Sequence, residues 1–157
     1  MTILGIDPGS RRIGYGIVDM DSGRARYVAA GLLRIDATDD IAALEETKRE
    51  VDRIITEHHP VFMAVEKLFF SKNQKTAMAV AQARGVILLA AKESGLPIRE
   101  YTPNEVKIGI TGYGLADKKA VLKMVRLILG EPALKVIDDA SDALALAIFG
   151  AGDRTPR

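Results

Sequence analysis

The chain has no cysteine, only two histidines and no long apolar run, and each shortage removes a class of chemistry. Without cysteine there is no disulfide, no thiol nucleophile and no thiolate metal site, and the lack fits a reducing compartment. The two histidines, His58 and His59, stand together at the end of a helical pattern, a place where histidine serves the helix terminus rather than a histidine-rich zinc site. No stretch of eighteen apolar residues exists, and Met1-Thr2-Ile3-Leu4-Gly5 carries neither the basic flank nor the cleavage signature of a secretory signal. The expected location is therefore the cytoplasm, with no membrane contact. Any bound metal must be held mainly by carboxylates.

What is present is 157 residues, 48% of them hydrophobic. That suffices for one domain with a full core and is too short for two ordinary ones, so a single domain over 1–157 is expected, with a short tail from about residue 151. The net charge of +1 hides a segregation. From Thr38 to His59 seven acids face three bases, whereas from Lys67 to Arg126 eleven bases face four acids. A basic surplus beside an acidic centre is what a phosphate-binding face next to a metal site would produce, although two oppositely charged solvated helix faces would look the same.

Periodicity orders the elements. Thr2 to Asp7 is a short apolar run closed by an acid, Pro8-Gly9-Ser10 is turn chemistry, and Ile13 to Val18 reads as a second strand. Arg24 to Ile35 completes a meander. Thr38 offers an N-cap to a long helix with Ile41, Leu44, Val51, Ile54 and Ile55 on its apolar stripe, ending near His59-Pro60. Val61 to Glu66 is a fourth strand, Asn73 to about Glu93 a helix, and Pro97 to Tyr101 a fifth strand. Thr102-Pro103 opens a further helix in cap-then-proline style, Thr111 to Gly114 reads as a mobile loop, and helices follow over Asp117–Leu129 and Asp138–Phe149. Strands joined by crossover helices predict an α/β fold, a mixed five-stranded sheet flanked by helices on both faces.

Asp7 and Glu66 each end a buried strand. If those strands are parallel neighbours, both acids sit at the sheet edge where α/β folds build their sites. Asp139 and Asp142 are spaced i, i+3 near the start of the last helix, on one face and at the end where the helix dipole favours anions. Small residues Ala140, Ser141, Ala143, Ala145 and Ala147 would let that helix approach the sheet. Asp138 points about 100° away from Asp139 and is expected to be a cap or a solvated charge. Four converging carboxylates repel one another and call for a hard cation with oxygen ligands, Mg2+ or Mn2+. Two such ions clamping the attacking and leaving oxygens are the apparatus of phosphodiester hydrolysis.

These segments together resemble a known family. Gly5-Ile6-Asp7-Pro8-Gly9-Ser10 with Gly14-Tyr15-Gly16, Ala64-Val65-Glu66 leading to Phe69 and Lys72-Asn73, Gln82-Ala83-Arg84-Gly85-Val86, and Asp139-Ala140-Ser141-Asp142-Ala143-Leu144-Ala145 resemble the bacterial RuvC resolvases in order, from Gly5 to Ala147. The resemblance implies a ribonuclease H-like fold and a homodimer whose symmetry matches a four-way DNA junction, cut symmetrically on two strands of like polarity. It implies metal binding and catalysis at Asp7, Glu66, Asp139 and Asp142. It further implies backbone contacts from Lys107 and Lys118, and Phe69 set against unstacked bases, with Phe70 assisting and Lys72 in the same loop. A dimer interface on the helix after Glu66 and cooperation with the branch-migration proteins RuvA and RuvB also follow from it. Three rival readings compare unequally with this one. An actin-like phosphotransferase needs two half-domains and finds room for one; a non-catalytic junction binder would not need all four acids; a related nuclease on RNA precursors would share the metal chemistry.

Overall fold

The computed structural model describes residues 1–67 and 74–153. Within them the chain runs β1 (Thr2–Asp7), β2 (Gly14–Asp21), β3 (Arg24–Leu32), α1 (Asp40–His58), β4 (Phe62–Glu66), α2 (Gln74–Glu93), β5 (Ile98–Tyr101), α3 (Pro103–Thr111), α4 (Lys118–Leu129) and α5 (Asp138–Gly152). The strands form one mixed sheet in the order β3-β2-β1-β4-β5. The first three make the antiparallel meander, while β4 lies parallel to β1 and β5 parallel to β4. The β2–β3 hairpin turns through Ser22 and Gly23, both at positive φ, the backbone that tight hairpins demand.

Strand alternation sorts the sheet into two cores. Leu4, Ile6, Met63 and Val65 pack with Val51 and Ile54 of α1 and Ala83 and Ile87 of α2. Ile3, Phe62 and Ala64 pack on the opposite side with α3, α4 and α5, including Leu144, Leu146 and Ala147. A period of two then places Asp7 with Ile3 and Glu66 with Ala64, both on the side that α5 covers. No helix among the described residues is long and apolar enough to cross a membrane.

Several local expectations change. The cap of α1 is Asp39, whose side chain accepts from the Ala42 amide, rather than Thr38; the stronger acceptor one residue on takes the position. Ile41 is not part of the buried stripe but 72% exposed, with Ala43, Thr47 and Glu50 buried on that helix instead. Glu50 is stabilised there by the Arg34 amide and by Arg53. Thr111 closes α3, and its hydroxyl donates to the Lys107 carbonyl and accepts from the Tyr113 amide. The segment read as a mobile loop is therefore a hydrogen-bonded helix end with Gly112 in the left-handed region. Helix α5 continues to Gly152, past the point where a tail was expected. Among the described residues, a Cβ at Gly85 would meet no atom within 4 Å. With the exposed Met78, Gln82 and Leu89, Gly85 forms an outward stripe on α2, while Val80, Ala81 and Val86 are half-buried.

Candidate active site

The site begins with glycines. On the α5 side of the β1–β2 ladder Gly5 is paired with Gly16, and Asp7 with Gly14. A Cβ on Gly5 would stand 1.9 Å from the Ala143 carbonyl oxygen, one on Gly14 2.1 Å from that of Asp139, and one on Gly16 2.7 Å from the Leu144 amide. These strands thus carry a trench with no side chains, and the backbone of α5 lies in it. Small residues on the helix were expected to allow this approach, and the matching glycines on the sheet are the half that sequence reasoning missed. Their spacing, Gly14-x-Gly16 opposite Gly5, was the available signal.

The trench sets the acids. Parallel pairing of Ile6 with Val65 brings Asp7 beside Glu66 at the ends of adjacent strands, and Asp142 and Asp139 are close enough to act electrostatically on Asp7. Burial first, then repulsion from Glu66, Asp142 and Asp139, pushes the Asp7 pKa up to about 8. Burial and the Asp142 charge raise Glu66 as well, against the pull of Lys107 and Lys118. Arg84 of α2 donates to the Glu66 backbone carbonyl at 3.1 Å and pairs with Glu100, which ties the end of β4 to α2 and β5.

The helix acids are held by cations. Lys118 Nζ lies 3.3 Å from Asp142 and 3.8 Å from Asp138. Desolvation, the largest single influence on Lys118, works against its charge, yet Asp142, Asp138 and Asp139 outweigh it and raise its pKa. Burial likewise raises Asp142 in spite of Lys118. Asp117 caps α4, which makes Lys118 its first residue, an end where the helix dipole disfavours a cation. A lysine placed against the local preference points to a role in the site rather than in the helix. Asp138 is a solvated charge with Lys118 as neighbour and not a cap, because the N-cap of α5 is Ile137. Arg12, which sequence reasoning missed, reaches from the β1–β2 turn to Asp139 Oδ2 with both Nε and Nη2. A basic pair directly after the Asp7 turn was its signal.

A cleft of about 190 Å³ opens beside the acids, with Glu66, Lys107, Lys118 and Asp142 in its walls and Val106, Val121 and Leu146 beneath. Lys107 and Lys118 thus stand where a phosphate could meet the acids. Among the described residues, no three carboxylates are gathered at distances that would already hold an ion, and Asp139 and Asp142 are engaged by Arg12 and Lys118. The donor set nevertheless suits a hard divalent cation: four carboxylates, and on Asp7 and Glu66 no ion-pair partner among the described residues. Phe69, Phe70 and Lys72 lie outside the described residues.

The comparisons with known proteins agree with this geometry. The family model described as "Crossover junction endodeoxyribonuclease RuvC" matches residues 3–150. The chain is 46% identical over 151 residues to the RuvC protein of Fusobacterium nucleatum, covering 94% of this chain and 78% of that protein. It is 47% identical over 149 residues to that of Moorella thermoacetica, covering 94% and 89%. In structure it is similar to Thermus thermophilus RuvC in complex with a Holliday junction substrate, with a TM-score of 0.89, 32% identity and coverage of 96% and 93%. The sheet order and flanking helices are those of the ribonuclease H-like resolvases, and the chain belongs to the crossover junction endodeoxyribonuclease RuvC family.

Proposed function

We propose that this chain is one nuclease domain that resolves four-way (Holliday) DNA junctions as a homodimer, hydrolysing phosphodiester bonds with Mg2+, or Mn2+ in its place, held by Asp7, Glu66, Asp139 and Asp142. The observation that carries the reading is the convergence of two strand-end acids, half-buried and without an ion-pair partner among the described residues, on two acids presented by α5. Two divalent ions bound there would neutralise the carboxylates, stabilise charge on the phosphate and make water nucleophilic near neutral pH.

The chain's own residues do the rest. Asp7 and Glu66 stand at the ends of two paired strands, whose ladder fixes their backbone positions side by side before substrate arrives. Lys107 and Lys118 in the cleft walls pair with phosphate oxygens near the cut and neutralise charge that grows in the transition state. The glycine trench fixes the height of α5, and so the distance between the two acid pairs. Phe69 and Phe70, by sequence resemblance, stack on bases opened at the junction centre, with Lys72 beside them. The exposed α2 stripe of Met78, Gln82, Gly85 and Leu89 supports a two-fold interface, self-complementary and with room at Gly85 for close approach. The proposed setting is cytoplasmic, in recombination and repair, with RuvA and RuvB as partners.

The test is incubation of the protein with a mobile four-way junction, a matched linear duplex and a structured RNA, with Mg2+, Mn2+ or EDTA, beside an Asp7→Asn variant. Paired symmetric nicks in the junction alone, lost with EDTA and with the variant, are expected. Binding without cleavage in either metal would overturn the nuclease reading, and equal cutting of duplex or RNA would overturn the substrate.

A further inference from the structure

Two consecutive arginines in the β1–β2 turn are used in different ways. Arg11 is anchored by several acceptors, the carbonyls of Ala37 and Thr38 and the Asp40 carboxylate, and it ties the turn to the segment before α1. Arg12 directs Nε at 3.2 Å and Nη2 at 2.8 Å to a single atom, Oδ2 of Asp139. Its side chain is 68% exposed, against 25% for Asp139. An ion pair that open to water is weakly held, and two N–H groups on one oxygen leave unused the two-oxygen match that the guanidinium fork makes with carboxylate or phosphate.

We propose that Arg12 is an exchangeable counter-ion: it holds Asp139 until a divalent cation takes that carboxylate, and it then pairs with a DNA phosphate beside the cut. The proposal rests on the metal-site reading above. A cation arriving at Asp139 competes with the guanidinium for the same oxygen and repels it. Released, Arg12 remains on the turn that directly follows Asp7, at the same edge of the sheet and level with Lys107 and Lys118 in charge, where the anion at hand is the DNA backbone. The exchange couples the two ligands. Metal frees Arg12 for phosphate, phosphate keeps Arg12 off Asp139, and each binding event therefore strengthens the other by the same factor. The consequence is a site that loads its metal most readily with substrate in place.

The experiment measures Mn2+ binding by calorimetry to the DNA-free protein, for wild type, Arg12→Ala, Arg12→Gln and Arg26→Ala. Arg26, in an exposed pair with Asp21 on β2 and β3, controls for loss of one positive charge. Junction affinity is then measured in Ca2+ over a salt series. Arg12→Ala and Arg12→Gln are expected to bind Mn2+ about three- to tenfold more tightly, with Arg26→Ala unchanged. Their salt slope for junction binding should fall by about one phosphate contact. Unaltered or weaker Mn2+ binding in both Arg12 variants, an Arg26→Ala gain of the same size, or an unaltered salt slope would each overturn the proposal while leaving the metal site intact. No Mn2+ binding by wild type would remove the metal site and this proposal together.

Discussion

The two halves of the acid cluster are built differently. Asp7 and Glu66 come from adjacent parallel strands, face the interior side of α5, and among the described residues have no ion-pair partner. Asp139 and Asp142 come from a helix, are partly open to solvent, and are each held by a cation, Arg12 and Lys118. The sheet pair is strand-anchored and, among the described residues, makes no ion pair; the helix pair is ion-paired. A site that must take up charged ligands gains from this division. The rigid half stores the electrostatic demand, and the other half exchanges its side-chain counter-ions for them.

The largest expected effects fall on the rigid half. Asp7→Asn or Glu66→Gln should lower junction cleavage by roughly a thousandfold or more, because each removes a charged ligand on which positioning and charge stabilisation both depend. Junction affinity in Ca2+ should change little by comparison. Near-normal turnover in either variant would break the comparison at its root.

The trench comes next. Gly5→Ala or Gly14→Ala would put a methyl group into α5 backbone, an overpacking that costs on the order of 1–3 kcal/mol or more, read as a lower melting temperature together with lost activity. Gly23→Ala in the hairpin, where a Cβ meets nothing, would by contrast strain only its positive-φ turn and leave cleavage intact.

Asp7 also sharpens the comparison through stability. Its folded pKa, about 8, lies far above the ordinary 3.8, so the native state binds this proton more tightly than the unfolded chain does. The stabilising share of that protonation is fully present below about pH 4 and is lost as pH rises toward 8. In the absence of metal, Asp7→Asn should therefore raise stability near pH 8, on the order of 2 kcal/mol, with the gain shrinking toward pH 4. Denaturant unfolding at both pH values in EDTA measures this, and a destabilised variant at pH 8 would contradict the uncompensated burial of Asp7.

Much of this was legible in the sequence because it depends on period and pairing. A strand that alternates faces and closes on an acid announces where the acid points once its neighbour is parallel, and Asp7 and Glu66 followed that rule. Asp139 and Asp142 followed from helical spacing. For Arg12 the sequence offered only its place in a basic pair after the Asp7 turn; its partner lies 127 residues away, and nothing local names Asp139. The glycine trench escaped for a related reason: Gly14-Tyr15-Gly16 reads locally as a weak strand, and its meaning depends on a helix at the other end of the chain. Thr38 yielded to Asp39 because adjacent cap residues compete and the geometry of the entry chooses between them.

The smaller predictions concern the ion-paired half. Lys118→Ala should lower the cleavage rate by about ten- to a hundredfold and leave the fold intact, because α4 keeps its Asp117 cap. Asp138→Asn should change cleavage by no more than about threefold, its carboxylate being solvated and only a neighbour of Lys118. A large loss with Asp138→Asn would mean that the wrong member of the acidic pair had been assigned to the metal.

The most direct test is a crystal of the metal-free protein soaked in Mn2+ and measured for anomalous scattering. The account predicts a peak between the sheet pair and α5, roughly 2.0–2.2 Å from carboxylate oxygens of Asp7 and of Asp139 or Asp142. No peak there at saturating Mn2+, or a peak on other acids, would contradict it.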